Sequence, residues 1–290
     1  METTENLKQA TGSPLADAWA ELQAHADRGE ALEPAAYRLA FADPEFMLRR
    51  ETRGVRFQLE LLKPDLELTE AGINRTVVVY GSARFVSPEV AAESLKAAQA
   101  SGDAHAIALA ERAHRTSVYY EQAREFGQLV ARFGLSQSPK DRLYICTGGG
   151  PGIMEAANRG AQEAGAPTVG LNITLPHEQS GNRYITPELS FKFHYFALRK
   201  MHFLMRAQAL VVFPGGFGTL DELFEVLTLV QTRKVRAVPI VLVGREFWDR
   251  LLNLDVMIDE GTISPDDLKL FHKVDTPQEA WDIVRNFYGL

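Results

Sequence analysis

Cysteine is all but missing from this chain: Cys146 is the one thiol in 290 residues. A lone thiol closes no internal disulfide, which excludes a disulfide-stapled scaffold and points to a reducing, cytoplasmic setting. It also leaves any metal site to histidine and carboxylate, and no HExxH motif, paired cysteines or clustered His/Asp ligands occur, so no metal is expected. No apolar run approaches the roughly 20 residues needed to span a bilayer, and the N-terminus, METTENLKQATGSPLADAW, lacks the basic-then-apolar order of a secretory signal. GxSxG is absent, which removes the usual sign of a serine hydrolase. Neither the dinucleotide glycine fingerprint nor a GK[ST] phosphate loop is present.

Basic charge is also in short supply, 31 Lys/Arg against 38 Asp/Glu, for a net charge of −7. Such a balance disfavours a nucleic-acid partner but not one small anion held in a local basic pocket. The acid excess sits early: residues 1–75 carry 9 basic and 14 acidic side chains, and the remainder is close to neutral. Within that remainder, Phe191 to Arg206 (FKFHYFALRKMHFLMR) holds Lys192, Arg199, Lys200 and Arg206 with no acid.

The first 75 residues lack β-branched runs and read as a helical N-terminal extension, with Pro34, Pro44 and Pro64 as breaks and punctuation at Gly72 to Asn74. From Thr76 onward the pattern becomes apolar, β-rich runs each followed by glycine, at 76–84, 143–150, 168–173, 209–216 and 237–244. Runs apolar throughout fit strands buried on both faces. Helical stretches are predicted between them, over roughly 88–133 with a break at Ser101 to Asp103, then 152–164, 195–208, 219–234, 246–253 and 277–287. This alternation predicts an α/β fold, a doubly wound parallel sheet with helices on both faces, over residues 76–290. The 88–116 segment forms either a helical hairpin or one extended helix. Ligands of such sheets bind outside the carboxyl ends of the strands, where these glycines fall.

Two glycine clusters each follow a predicted strand and open a predicted helix. In Thr147-Gly148-Gly149-Gly150-Pro151-Gly152, glycines let backbone amides approach an anion, the helix start adds partial positive charge, and Pro151 suits the first helical turn. The same glycines also simply permit close packing. In Pro214-Gly215-Gly216-Phe217-Gly218-Thr219-Leu220-Asp221-Glu222, Thr219 and Glu222 have the spacing of a capping box, in which the glutamate does no more than satisfy a helix-start amide. The same placement sets Asp221 and Glu222 beside an anion cradle. Between the clusters, Arg199, His202 and Arg206 fall on one helical face; Arg206 reads as part of a solvated basic face beside the acidic arm, and His194 and His202 read as packed side chains.

GGGPGIMEAANRGA (148–161) and PGGFGTLDE (214–222), with Arg199-Lys200 between them, resemble the LONELY GUY (LOG) family of Rossmann-like phosphoribohydrolases. Every fixed position of that family's PGGxGTxxE motif is matched, by Pro214, Gly215, Gly216, Gly218, Thr219 and Glu222. The resemblance covers about residues 76–285, leaves out the N-terminal arm, and is closer to the larger bacterial branch.

It implies hydrolysis of the N-glycosidic bond of a nucleoside 5′-monophosphate, such as AMP or a cytokinin riboside monophosphate, without cofactor. A carboxylate stabilises the oxocarbenium-like sugar and orients water, a part that falls to Glu222, and a fixed cation, Arg199, stabilises the departing base or the phosphate. By the same resemblance Gly215, Gly216, Phe217, Gly218, Thr219, Leu220, Asp221 and Lys200 line the nucleotide site. Glu178 reaches the substrate, Thr228 is a further contact, and Gly81 and Ser82 complete the phosphate pocket with Gly148, Gly149 and Gly150. The family's frequent label of lysine decarboxylase finds no pyridoxal phosphate pattern here. Family members are dimers, which implies at least a homodimer. The competing reading is a non-catalytic nucleotide or cofactor carrier.

Overall fold

In the computed structural model, residues 20, 24, 27–29, 34–175 and 181–290 are described. The chain divides into two compact units, residues 1–62 and 63–290. In the first, short 3-10 turns at Ala35–Tyr37 and Ala40–Ala42 precede helix α1, Pro44–Met47, capped by the Asp43 carboxylate, which accepts the Glu45 amide at 3.0 Å. Helix α2, Arg53–Glu70, starts in this unit, and most of the expectation for residues 1–33 lies outside the described residues.

Of the prolines read as breaks, Pro44 falls at a helix start and Pro64 does not break its helix. Pro44 occupies the first position of α1, where its missing N–H is no loss. Pro64 lies inside α2 and does not break it; one backbone bond is forfeited, but Pro64 and Leu68 are buried, and tertiary burial outweighs the local cost. The helix stops where punctuation predicts, with Gly72 at φ 73°.

The second unit is built on seven strands: β1 Thr76–Tyr80, β2 Tyr144–Thr147, β3 Val169–Ile173, β4 Ser190–Phe193, β5 Ala207–Val212, β6 Ile240–Val243 and β7 His272–Val274. All neighbours pair in parallel, in the order β4-β3-β2-β1-β5-β6-β7. The five runs read as strands are all present. The two edge strands were not foreseen: β4 (SFKF) has no β-branched residue and alternates exposed with buried, so it passes as part of the basic stretch, and β7 is three residues long.

Helices α3, Pro88–Ser101, and α4, Ala104–Ser136, form a hairpin, with Gly102 at φ 69° turning the chain and Asp103 capping α4. Then follow α5 Ile153–Glu163, α6 Phe196–Met205, α7 Phe217–Gln231, α8 Arg245–Leu251, α9 Asp255–Asp259 and α10 Pro277–Tyr288. The core gathers Val77, Val79, Ile145, Val211 and Val241 from the central strands against Phe126, Val130, Ala157 and Trp281 from the helices.

Helices α4 and α5 approach each other closely at two glycines. A β-carbon on Gly127 would meet the Ala157 carbonyl oxygen at 2.3 Å, and one on Gly160 would meet the Arg124 carbonyl oxygen at 1.8 Å. The two helices therefore touch backbone to backbone at reciprocal glycines. Gly160→Ala is expected to destabilise the fold by about 2–3 kcal/mol, as overpacking does. Gly54→Ala, where a β-carbon meets nothing within 4 Å, is the control and should leave stability unchanged or slightly raised in thermal unfolding.

Candidate active site

The strand order reverses direction between β1 and β5, and the loops after these strands part there to leave a crevice at the carboxyl edge of the sheet. Two backbone bonds lace it: Phe213 N–H donates to the Tyr80 carbonyl at 2.8 Å and Ser82 N–H to the Pro214 carbonyl at 3.0 Å. Above them lies a cavity of about 650 Å³, lined by Gly81, Ser82, Gly148, Arg199, Gly215 to Thr219, Asp221 and Glu222, with Tyr80, Phe85, Met154, Phe196 and Phe247 as aromatic and apolar wall.

Glu222 sits at its inner end, only 7% exposed. Burial pushes its carboxyl up to about 7, against the opposing pull of Arg199 and Lys200 and with help from Glu225 and Asp221. Arg199 Nη1 lies 3.9 Å from Glu222 Oε1, and its Nε–H donates to the Leu171 carbonyl at 2.7 Å, so the guanidinium is fixed by the backbone of β3. Burial holds Arg199 below its ordinary value, with Glu222 first among the groups pulling it back. The guanidinium also lies over the Phe203 ring, 5.1 Å from its centroid. A β-carbon on Gly148 would meet Arg199 Nη2 at 2.4 Å, so a side chain there would displace the guanidinium from this position.

The capping-box expectation for Thr219 and Glu222 fails. Helix α7 begins two residues before Thr219, its cap is Gly216, and no side chain caps it. Glu222 therefore belongs to the second turn and spends its oxygens on Arg199 and on Tyr80, whose hydroxyl donates to Oε2 at 3.4 Å. Thr219 instead fills the space over Gly215, where a β-carbon would lie 2.1 Å from its Oγ1. The Phe217, Gly218 and Thr219 amides, the first three of the helix, are left for an anion at residues that line the cavity.

The first glycine cluster differs from expectation as well. Pro151 precedes the helix cap, Gly152, instead of entering the first turn. Gly152, at φ 72°, is forced by the Ser82 carbonyl, which a β-carbon would meet at 2.3 Å and which accepts the Ile153 amide at 3.0 Å. Of the three glycines only Gly148 lines the cavity. The Gly149 amide donates to Thr147 Oγ1, and the Gly149 and Gly150 carbonyls accept from the backbone and side chain of Asn182 at 2.8 and 3.1 Å. Asn158, fully buried, accepts from Thr147 and Asn182 and donates to the Val169 carbonyl, locking the loop.

Lys200, Leu220 and Thr228 lie away from this cavity, along a shallow groove with Phe224 and Glu225. Lys200 Nζ is 2.8 Å from Asp221 Oδ2 and 3.1 Å from Glu225 Oε2; despite partial burial, those carboxylates hold it above its ordinary value. Glu178 lies outside the described residues. Arg206, read as part of a solvated basic face, is instead largely buried, paired with Asp65 at 2.6 Å and bonded to Thr69 at 2.7 Å, while His202 is packed against Phe193 as expected. Cys146 is buried, which pushes its thiol up to about 12. Tyr80, Asn158 and Asn182 went unread; the one available signal was an aromatic with a polar tip ending the strand TVVVY. Among the described residues, no helix is long and apolar enough to cross a membrane and no group of three or more His, Cys, Asp or Glu could hold a metal ion.

A family profile described as "Possible lysine decarboxylase" matches residues 154–284. A probable cytokinin riboside 5′-monophosphate phosphoribohydrolase of Oryza sativa subsp. japonica is 31% identical over 151 residues, 51% of this chain and 57% of that protein. A cytokinin riboside 5′-monophosphate phosphoribohydrolase of Arabidopsis thaliana is 30% identical over 153 residues, 51% of this chain and 64% of that one. The chain thus spans less than two thirds of the length of these curated relatives. Among solved structures, the molybdenum cofactor binding protein of Rippkaea orientalis aligns at 17% identity and a TM-score of 0.47, over 74% of this chain and 98% of that one.

Because the folded Glu222 carboxyl titrates near 7 and an unfolded one near 4.5, the folded state holds the extra proton between those values. Stability from this group is therefore fully present below 4.5 and declines as pH rises to about 7, by roughly 3 kcal/mol at most. Glu222→Gln, which mimics the protonated form, should lack that decline when chemical denaturation is compared at pH 5 and pH 8.

Proposed function

We propose that the chain is a member of the LONELY GUY (LOG) family and, from the buried Arg199–Glu222 pair at the mouth of an uncapped helix, that it hydrolyses the N-glycosidic bond of a nucleoside 5′-monophosphate. Water adds across the bond between the sugar C1′ and the base nitrogen: oxygen goes to C1′, a proton to the base, and free base and ribose 5-phosphate leave. Carrying this reading is Glu222, a carboxylate poised near neutrality beside a cation fixed by backbone. In its ionised form it accepts the proton of the attacking water and opposes the positive charge on the sugar. Arg199 offsets negative charge growing on the departing base. The 5′-phosphate takes the first amides of α7, beside Gly81 and Ser82, and the wall of Phe85, Phe196 and Phe247 receives the flat base.

A lysine decarboxylase would need a lysine whose amine loses its proton readily, and Lys200, the lysine nearest this pair, is held in the opposite direction by Asp221 and Glu225. AMP and cytokinin riboside monophosphate are the first substrates to assay, with release of free adenine or cytokinin base as the readout. Glu222→Gln and Arg199→Ala should each cut kcat by at least about 100-fold in protein that circular dichroism shows to be folded at the assay temperature. Tight AMP binding without turnover would favour a carrier, and no release from any nucleoside monophosphate would overturn the reading.

Self-association belongs to the same proposal. Phe196, Met201 and Met205 on α6 and Phe217 and Phe224 on α7 are exposed, Phe217 to 92%, and such apolar surface fits a second copy. Light scattering should give at least twice the 32.2 kDa of one chain.

A further inference from the structure

Four side chains form a ring, three of them, Tyr80, Arg199 and Glu222, lining the cavity and the fourth, Phe203, buried behind them. The Tyr80 hydroxyl donates to Glu222 Oε2 at 3.4 Å, Glu222 Oε1 faces Arg199 Nη1 at 3.9 Å, Arg199 lies over the Phe203 ring, and the Phe203 ring meets the Tyr80 ring edge-on at 4.9 Å. Two of the four are anchored independently of the carboxylate: Arg199 by the Leu171 carbonyl, and Tyr80 by its place as the last residue of β1, whose carbonyl accepts the Phe213 amide. Glu222 hangs from a helix and depends on the other members for its direction.

We propose that Tyr80 is a positioning residue, whose hydroxyl holds Oε2 of Glu222 so that Oε1 is presented to Arg199 and the cavity. This rests on the reading of Glu222 as the group that activates water. The sign of its effect follows from the donor. Tyr80 is 5% exposed, and burial, followed by the Glu222 charge, raises its own proton affinity well above the ordinary tyrosine value, so it stays a donor at every working pH. A permanent donor stabilises the ionised carboxylate over the acid. The 3.4 Å separation is long for an O–H···O bond and can shorten when Glu222 carries its charge.

The other groups facing Glu222 do not substitute for it. Arg199 and Lys200, from α6, favour its charge; Asp221 and Glu225, from its own helix, oppose it; and both of those are engaged by Lys200. From β2, Cys146 is sensed by Tyr80 and Arg199 and is itself kept protonated by burial. Tyr80 is thus an uncharged donor in contact with the carboxylate, and removing its oxygen changes no charge.

Tyr80→Phe, in the full chain, is the test. Its acid limb of kcat/KM should move up by about one pH unit, with kcat near pH 6 reduced about tenfold, kcat above pH 9 within about threefold of wild type, and KM for AMP unchanged. A side chain of purely structural value would lower stability without moving the limb. Site-specific 3-fluorotyrosine at position 80, a stronger donor of nearly the same size, should move the limb the other way and covers the case in which the phenylalanine variant folds poorly. Carboxyl titration of carbon-13-labelled glutamate by NMR, assigned to Glu222 with Glu222→Gln, separates the two hypotheses. If wild type releases no base, the reaction reading fails, while an upward move of the Glu222 titration in Tyr80→Phe still upholds Tyr80. An unmoved titration and an unmoved limb in both variants overturn it.

Discussion

A carboxylate kept out of water next to a guanidinium is the constraint around which the carboxyl edge of this sheet is arranged. Glu222 is buried, and burial costs its charge unless something nearby restores it. Arg199 offsets part of that cost, with its position fixed by the Leu171 carbonyl and with no Gly148 side chain where the guanidinium lies. Gly148 in turn sits on a loop held by Thr147, Asn158 and Asn182. The glycines of the first cluster therefore act mainly through space left empty for other groups, and those of the second leave helix-start amides available. The two clusters look alike in sequence yet do different work.

What could be read in advance follows from range. The five glycine-ended strands were legible because a parallel sheet buried on both faces needs continuous apolar runs, and the reversal point then fixes where their loops meet. The motif drew attention to Arg199 and Glu222, and the fold brings the two side chains together in one cavity. The edge strands β4 and β7 were not, since an edge tolerates Ser190 and Lys192 outward and runs of three or four residues carry little pattern. The capping box at Thr219 and Glu222 had the right spacing and the wrong helix start: with Gly216 as cap, the same spacing delivers a buried acid instead. Pro64 shows the same limit, a local rule overruled by burial that sequence spacing does not record.

Residues that act across the sheet were the least visible. Tyr80 and Glu222 are 142 positions apart, and Asn158 and Asn182 meet over 24. No periodicity links such pairs; only the strand order does, by bringing the ends of β1, β2 and β5 side by side. Arg206 marks a milder case, a basic residue read as solvated that Asp65 and Thr69 engage.

The reciprocal glycines of α4 and α5 have a mechanical meaning. Gly127 and Gly160 act as key and keyway: each notch admits the other helix's backbone, so a slide by one residue would drive a side chain into a carbonyl. Helix α5 cannot creep along α4. Its first amide, on Ile153, is bonded to Ser82, so the axial setting of α5 is passed on to the loop that follows β1. A long helical hairpin remote from the chemistry thereby works as the bedplate on which the crevice is aligned.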